Sequence, residues 1–221
     1  MKARSVVKTG NKSVRVAKQS SAKDAIGIIE KNRDIFLLTF GQFSVLDVLL
    51  VVLRQTGPAD VVISSWTAAD SHLERIKQLL DGGEITNFKI ILDRSFKSRQ
   101  PKYDYHMHNA FGSECIRYLR SHTKFILLRN EEFDIVIHTS ANLNDNARLE
   151  NLEICENKKF AEFMQSVVDD VFSEVRVGEL RSSPVSLNSV QDEFPFIECA
   201  ANPINGKDLN EPHFTHTLKK R

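Results

Sequence analysis

The sequence predicts an α/β domain in which a mixed sheet is flanked by helices on both faces. Three observations carry this reading. Short apolar runs recur at residues 34–40, 60–66 and 88–93, of strand rather than helix length. Between them lie stretches whose apolar residues repeat at i, i+3, i+4 and i+7, the spacing of one helix face. Past residue 120 the apolar runs crowd together, divided only by a polar turn, which is the pattern of an antiparallel hairpin.

Residues 1–23 carry Lys2, Arg4, Lys8, Lys12, Arg15, Lys18 and Lys23 with no acid, in a Ser/Val-rich segment of poor periodicity. This reads as a flexible basic arm, whose function is either solubility or attraction of an anionic partner. The domain proper is expected over residues 24–177. A short helix is expected at 22–31, and "DIFLLTF" (34–40) reads as a buried strand with no alternation. Ser44 is placed to cap a helix bearing Leu46, Leu49, Leu50 and Leu53, which "TGP" at 56–58 stops. "DVVISSW" (60–66) is a second buried strand. The next helix runs from about 69 to 80 with Leu73, Ile76 and Leu80 on its apolar face, ended by Gly82 and Gly83. "FKIILD" (88–93) is a third strand, residues 103–112 a helix, and "CIRYLR" (115–120) a short strand. This alternation predicts a largely parallel first half. "KFILL" (124–128) and "FDIVIHTS" (133–140) then make the hairpin, and a strand follows around 151–155. A helix from 158 to about 175 carries Phe160, Phe163, Val167 and Val171 on one stripe. Residues 178–221 are Ser/Pro/Asn-rich and read as a mobile tail, or one that packs only on a partner.

At 221 residues, with 41% hydrophobic and 27% charged residues, the chain is long enough for one ordinary core. A net charge of +1 does not by itself single out nucleic acid as a partner. The early basic residues are not followed by the apolar run of a signal peptide, and the apolar stretch 35–53 is interrupted by Gly41, Gln42, Ser44 and Asp47. Cys115, Cys155 and Cys199 are scattered, with no CxxC pair. The expectation is a cytoplasmic protein with no membrane segment.

Alternation within a strand puts residues two apart on one face. His122 and Lys124 therefore share a face, as do Ser140 and Asn142, and Asn151 and Glu153. Three neighbouring segments, otherwise apolar, each offer a polar pair. Lysine and asparagine hold phosphoryl oxygens, and a histidine attacks phosphorus or moves protons. Taken singly, each of these residues also fits a partly exposed strand end or a turn.

"HTK" at 122–124, "TSAN" at 139–142 and "NLE" at 151–153 together resemble the signature of the phospholipase D superfamily, H-x-K-x4-D-x6-G-[ST]-x-N followed by N-x-E. The motifs span residues 120–155, and the strand–helix order over 25–175 is compatible with that family's α/β sandwich. The pattern departs at two slots: Arg129 stands where the family has its aspartate, and Thr139 where it has glycine. His122 and Asn142 are also three residues further apart than the signature's spacing of about 17.

The resemblance implies a metal-independent phosphodiesterase with no cofactor. Family sites hold two HxK motifs and this chain has one, so it implies a homodimer. In that arrangement His122 of one chain attacks phosphorus and His122 of the partner subunit protonates the leaving oxygen. Lys124 and Asn142 hold the phosphoryl oxygens, Ser140 adds a hydrogen bond, and Glu153 orients the histidine. The basic arm favours a nuclease acting on DNA or RNA. The basic segment "DRSFKSRQPK" (93–102), after a strand, offers Arg94, Lys97 and Arg99 as substrate contacts. The alternatives are an inactive phospholipase D-like nucleic-acid-binding or assembly protein, and an α/β domain with an accidental HxK. His106 and His108, two apart on a helix, diverge too far to share a metal.

Overall fold

A computed structural model describes residues 6–8, 12–16, 21–145 and 147–190. Strands β1 (Val6–Lys8), β2 (Lys12–Val16), β3 (Asp34–Thr39), β4 (Ala59–Ser65), β5 (Ile85–Asp93), β6 (Ile116–Leu119), β7 (Phe125–Arg129), β8 (Asp134–Thr139), β9 (Glu150–Glu156) and β10 (Leu180–Arg181) join in one sheet. Their order across it is β1-β2-β3-β9-β8-β7-β4-β5-β6-β10. Helices α1 (Ala22–Ile26), α2 (Val45–Thr56), α3 (Asp70–Asp81), α4 (Phe96–Arg99), α5 (Pro101–Phe111) and α6 (Lys158–Glu174) complete the fold.

The sheet is mixed, as expected, but its first half is not continuous. β4, β5 and β6 are parallel neighbours, whereas β3 is parted from β4 by the antiparallel insertion β9-β8-β7. Four successive antiparallel pairings bring β4 back to the direction of β3. β3, β8, β4, β5 and β6 therefore run one way, and β9 and β7 the other. At one end of the sheet, the carboxyl ends of β3, β8, β4 and β5 meet the beginnings of β7 and β9.

Two apolar layers sandwich the sheet. On one face Leu37, Ile63, Ile90, Ile126, Ile137 and Ile154 pack against the first helices, with Ile26 of α1, Leu49 of α2 and Ile76 of α3 fully buried. On the other, Val62, Ile91, Phe125, Leu127 and Val136 meet α6. The core-facing residues of α6 are Ala161, Met164, Val168 and Val171, with Phe160 and Phe163 half-buried at its margin and Val167 off the stripe. The aromatic rings suggested a stripe one position away, because side-chain size outweighed the small Ala161 in the pattern.

Other boundaries follow local chemistry. The helix expected over 22–31 ends at Gly27, whose φ of 66° terminates α1 after Ile26. Ser44 and Asp47 form a reciprocal capping box that starts α2. β3 is not buried on both faces: Ile35, Leu37 and Thr39 are buried and alternate with half-buried Asp34, Phe36 and Leu38. Asn130 organises the β7–β8 turn, accepting from the Glu132 and Phe133 backbone N–H groups and donating to the carbonyls of Thr56 and Pro58.

Part of the segment expected as a flexible arm is in the sheet, since β1 and β2 form a hairpin and β2 runs parallel to β3. That pairing covers backbone groups that β3 would otherwise leave open. The beginning of the expected tail is also built in. β10 pairs with β6, Arg181 bridges to Glu174, and Ser189 donates to Asp170 through both its N–H and hydroxyl. The rest of the tail, 191–221 with Cys199, lies outside the described residues, as do 1–5, 9–11 and 17–20 of the arm. Among the described residues no helix is long and apolar enough to cross a membrane.

Candidate active site

His122 and Lys124 lie in the extended segment just before β7, at the sheet end described above. Thr123 between them turns the opposite way, its hydroxyl 2.9 Å from that of Ser64 on β4. The alternation thus pairs His122 with Lys124. The Lys124 Nζ donates to the His122 carbonyl at 3.1 Å and lies 3.4 Å from its Nδ1. Burial pushes the Lys124 ammonium below its ordinary pKa of 10.5, and the Glu150 carboxylate partly opposes that.

Ser140 lies just past the end of β8, and its hydroxyl is engaged by β9. It accepts from the Asn151 N–H at 3.0 Å and donates to the Glu150 carboxylate. Thr139, in the family's glycine slot, closes the same corner. Its hydroxyl donates to the Asn151 carbonyl and accepts from the Ala141 N–H, at 3.0 and 2.9 Å. The loop carrying Asn142 is pinned to the end of β4: the Leu143 N–H donates to the Ser65 hydroxyl at 3.0 Å, and the Ala69 N–H to the Leu143 carbonyl at 2.8 Å. The Asn142 side-chain oxygen, an acceptor, is buried without a hydrogen-bond partner.

Glu153 requires a correction. On β9, Leu152 and Ile154 face the layer of α2 and α3, so Glu153 points to the α6 side. It pairs across the sheet with His138, whose ring stacks on Phe160 of α6 at 5.2 Å. Its carboxylate lies within 4.8 Å of ligand atoms of Asp34 and Cys155. The acid that reaches the His122 end of the sheet is Glu150, through Ser140 and through its charge at Lys124. The sequence carried both glutamates around Asn151, and spacing alone did not tell which would face the site.

The three basic candidates from residues 93–102 separate. Arg94 donates to the Ser182 hydroxyl, away from His122, and Lys97 is exposed on α4. Arg99 is directed to the site. Its guanidinium lies 3.7 Å over the Trp66 ring, and Trp66 lies 6.3 Å from the His122 ring. Asp93, at the end of β5, accepts from Ser95 and from the Ser121 N–H that leads into His122. Burial raises its pKa, but the Ser95 and Ser121 hydrogen bonds and the Arg99 charge outweigh this and hold the carboxyl below its ordinary range. Trp66 and Asp93 went unassigned in the sequence; their signal was their place at the carboxyl ends of buried strands.

Arg129 stands at the far end of β7 from His122, paired with Asp134 across the hairpin at 2.7 Å. Its place in the aspartate slot therefore leaves the groups around His122 untouched. Arg129→Asp would set two carboxylates opposite each other, with Asp60 on the flanking strand. The expected result is a loss of about 1 kcal/mol in urea unfolding. The two helical histidines bind separate partners, His106 meeting Asp70 and His108 meeting Ser113 and Tyr118.

No family model and no curated protein matches the chain. Among solved structures it is similar to Nuc, a phospholipase D family member from Salmonella typhimurium, with TM-score 0.43 and 19% identity over 58% of this chain and 88% of that one. It is also similar to polyphosphate kinase from Porphyromonas gingivalis, with TM-score 0.47 and 12% identity over 66% of this chain and 27% of that one.

Proposed function

We propose that this chain is a phospholipase D-like phosphodiesterase that cleaves DNA or RNA without a metal, as a homodimer. The observation that carries the reading is the meeting of His122, Lys124, Ser140 and Glu150 at one sheet end. In the proposed reaction an imidazole nitrogen of His122 attacks phosphorus. A P–N bond forms, the P–O bond to the leaving nucleoside breaks, and His122 of the partner subunit gives that oxygen its proton. The same partner histidine then takes a proton from water, which attacks phosphorus, breaks the P–N bond and frees the histidine. Lys124 and Asn142 stabilise the charge that builds on the phosphoryl oxygens. Glu150 positions Ser140 and favours the charged form of Lys124.

The test is incubation of the full chain with single- and double-stranded DNA and RNA in excess EDTA, with the oligomeric state measured by sedimentation. Cleavage by a dimer is expected. Binding without cleavage would leave the alternative, a nucleic-acid-binding or assembly protein that keeps the fold.

A further inference from the structure

We propose that Trp66 and Arg99 form a second phosphate site beside His122, which takes a phosphate neighbouring the scissile one and so makes oligonucleotides better substrates than isolated diesters. This rests on the phosphodiesterase reading above and extends it to substrate choice.

Three contacts hold the Arg99 side chain, although the residue is exposed. The guanidinium lies 3.7 Å over the indole, Nη2 donates to the Trp66 carbonyl at 2.9 Å, and Nε donates to the Ser95 hydroxyl at 3.1 Å. Ser95 is fixed in turn by Asp93, the carboxylate that also receives the Ser121 N–H. The guanidinium and the segment carrying His122 are thus fastened to the same buried strand end. An arginine ordered before its ligand arrives loses little further side-chain entropy on binding.

Its Nη1 hydrogens are not spent in these bonds, and a guanidinium edge suits phosphate oxygens. The scissile phosphate already has Lys124 and Asn142 to hold it. Arg99 is held over the indole, whose ring neighbours that of His122, so its charge suits a different phosphate of the same strand. Arg94 and Lys97, by contrast, have no such mounting next to His122.

Trp66 is the single tryptophan in the chain, so intrinsic fluorescence reads this shelf directly. Thymidine dinucleotides without a terminal phosphate, with a 5′-phosphate and with a 3′-phosphate are titrated into the full chain carrying His122→Ala, which prevents consumption. One of the phosphorylated forms is expected to bind about tenfold more tightly than the unphosphorylated one and to shift the Trp66 emission. Adding Arg99→Gln should bring the two affinities within about twofold, and Arg99→Lys should keep part of the gain. Thermal unfolding of each variant verifies that the fold is intact. Equal affinities with Arg99 present, or a gain that survives Arg99→Gln, would overturn the shelf. Cleavage by the wild type without any terminal-phosphate gain overturns the shelf alone. A gain lost in Arg99→Gln, with no cleavage by the wild type, supports the shelf and overturns the nuclease reading. Failure of every dinucleotide to bind, together with no cleavage of nucleic acid by the wild type, overturns both.

Discussion

Replacing His122 by alanine is expected to remove cleavage, lowering kcat by about three to four orders of magnitude, while the urea midpoint stays where it was. The size follows from the proposed role: in the proposed reaction the residue forms the bond to phosphorus and its counterpart in the second chain supplies the proton, so one substitution deletes both functions. The stability half follows from position. His122 is exposed and precedes the first residue of β7, so no core contact is lost with its ring. A structural histidine would show the reverse, with residual activity tracking the folded fraction. Steady-state kinetics in EDTA alongside urea unfolding separates the two.

The second large effect distinguishes two glutamates three residues apart. Glu150→Gln is expected to lower kcat by about ten- to a hundredfold, and Glu153→Gln to leave it within about threefold. Glu150 accepts from Ser140 and opposes the burial that depresses the Lys124 pKa; Glu153 faces the α6 side beside His138. The pH profile supplies an independent readout. Lys124 must be protonated to stabilise the phosphoryl oxygens, and burial lowers its pKa from 10.5, so activity falls on the alkaline side before a free lysine would deprotonate. Removing the Glu150 charge takes away the opposing influence. The alkaline limb of Glu150→Gln should therefore move to lower pH, and that of Glu153→Gln should not. The stability sign is opposite: between its folded pKa and 10.5 the unfolded chain binds the Lys124 proton more tightly, so stability rises with pH across that window.

How far the sequence could be read depends on the range of the interactions involved. The hairpin of β7 and β8 and the cap of α2 are written in neighbouring residues, and both were legible: Ser44 and Asp47 lie three apart, and the polar turn sits between two apolar runs. The insertion of β9-β8-β7 between β3 and β4 depends on pairings between distant parts of the chain. Periodicity carries no information about which strands become neighbours, so a parallel first half was the natural expectation. β3 shows a subtler failure. Phe36 and Leu38 look like core residues, yet they lie half-buried on the face opposite Leu37. At the site, local alternation sufficed for His122 and Lys124. It did not choose between Glu150 and Glu153, because the choice turns on the register of β9 against β8, where Leu152 pairs with Thr139 and Glu153 with His138. Arg99 was found among three basic residues, but only Trp66, far off in sequence, explains why it differs from Arg94 and Lys97.

The measurement that tests the central claim most directly is to trap the covalent intermediate. A short oligonucleotide is mixed with wild-type chain in EDTA, quenched in alkali within the first turnover, and the digested protein is weighed peptide by peptide. The account predicts a nucleotide joined through its phosphate to the peptide containing His122, present in the wild type and absent from His122→Ala. Product formation with no such adduct, or with the nucleotide on another residue, would contradict it.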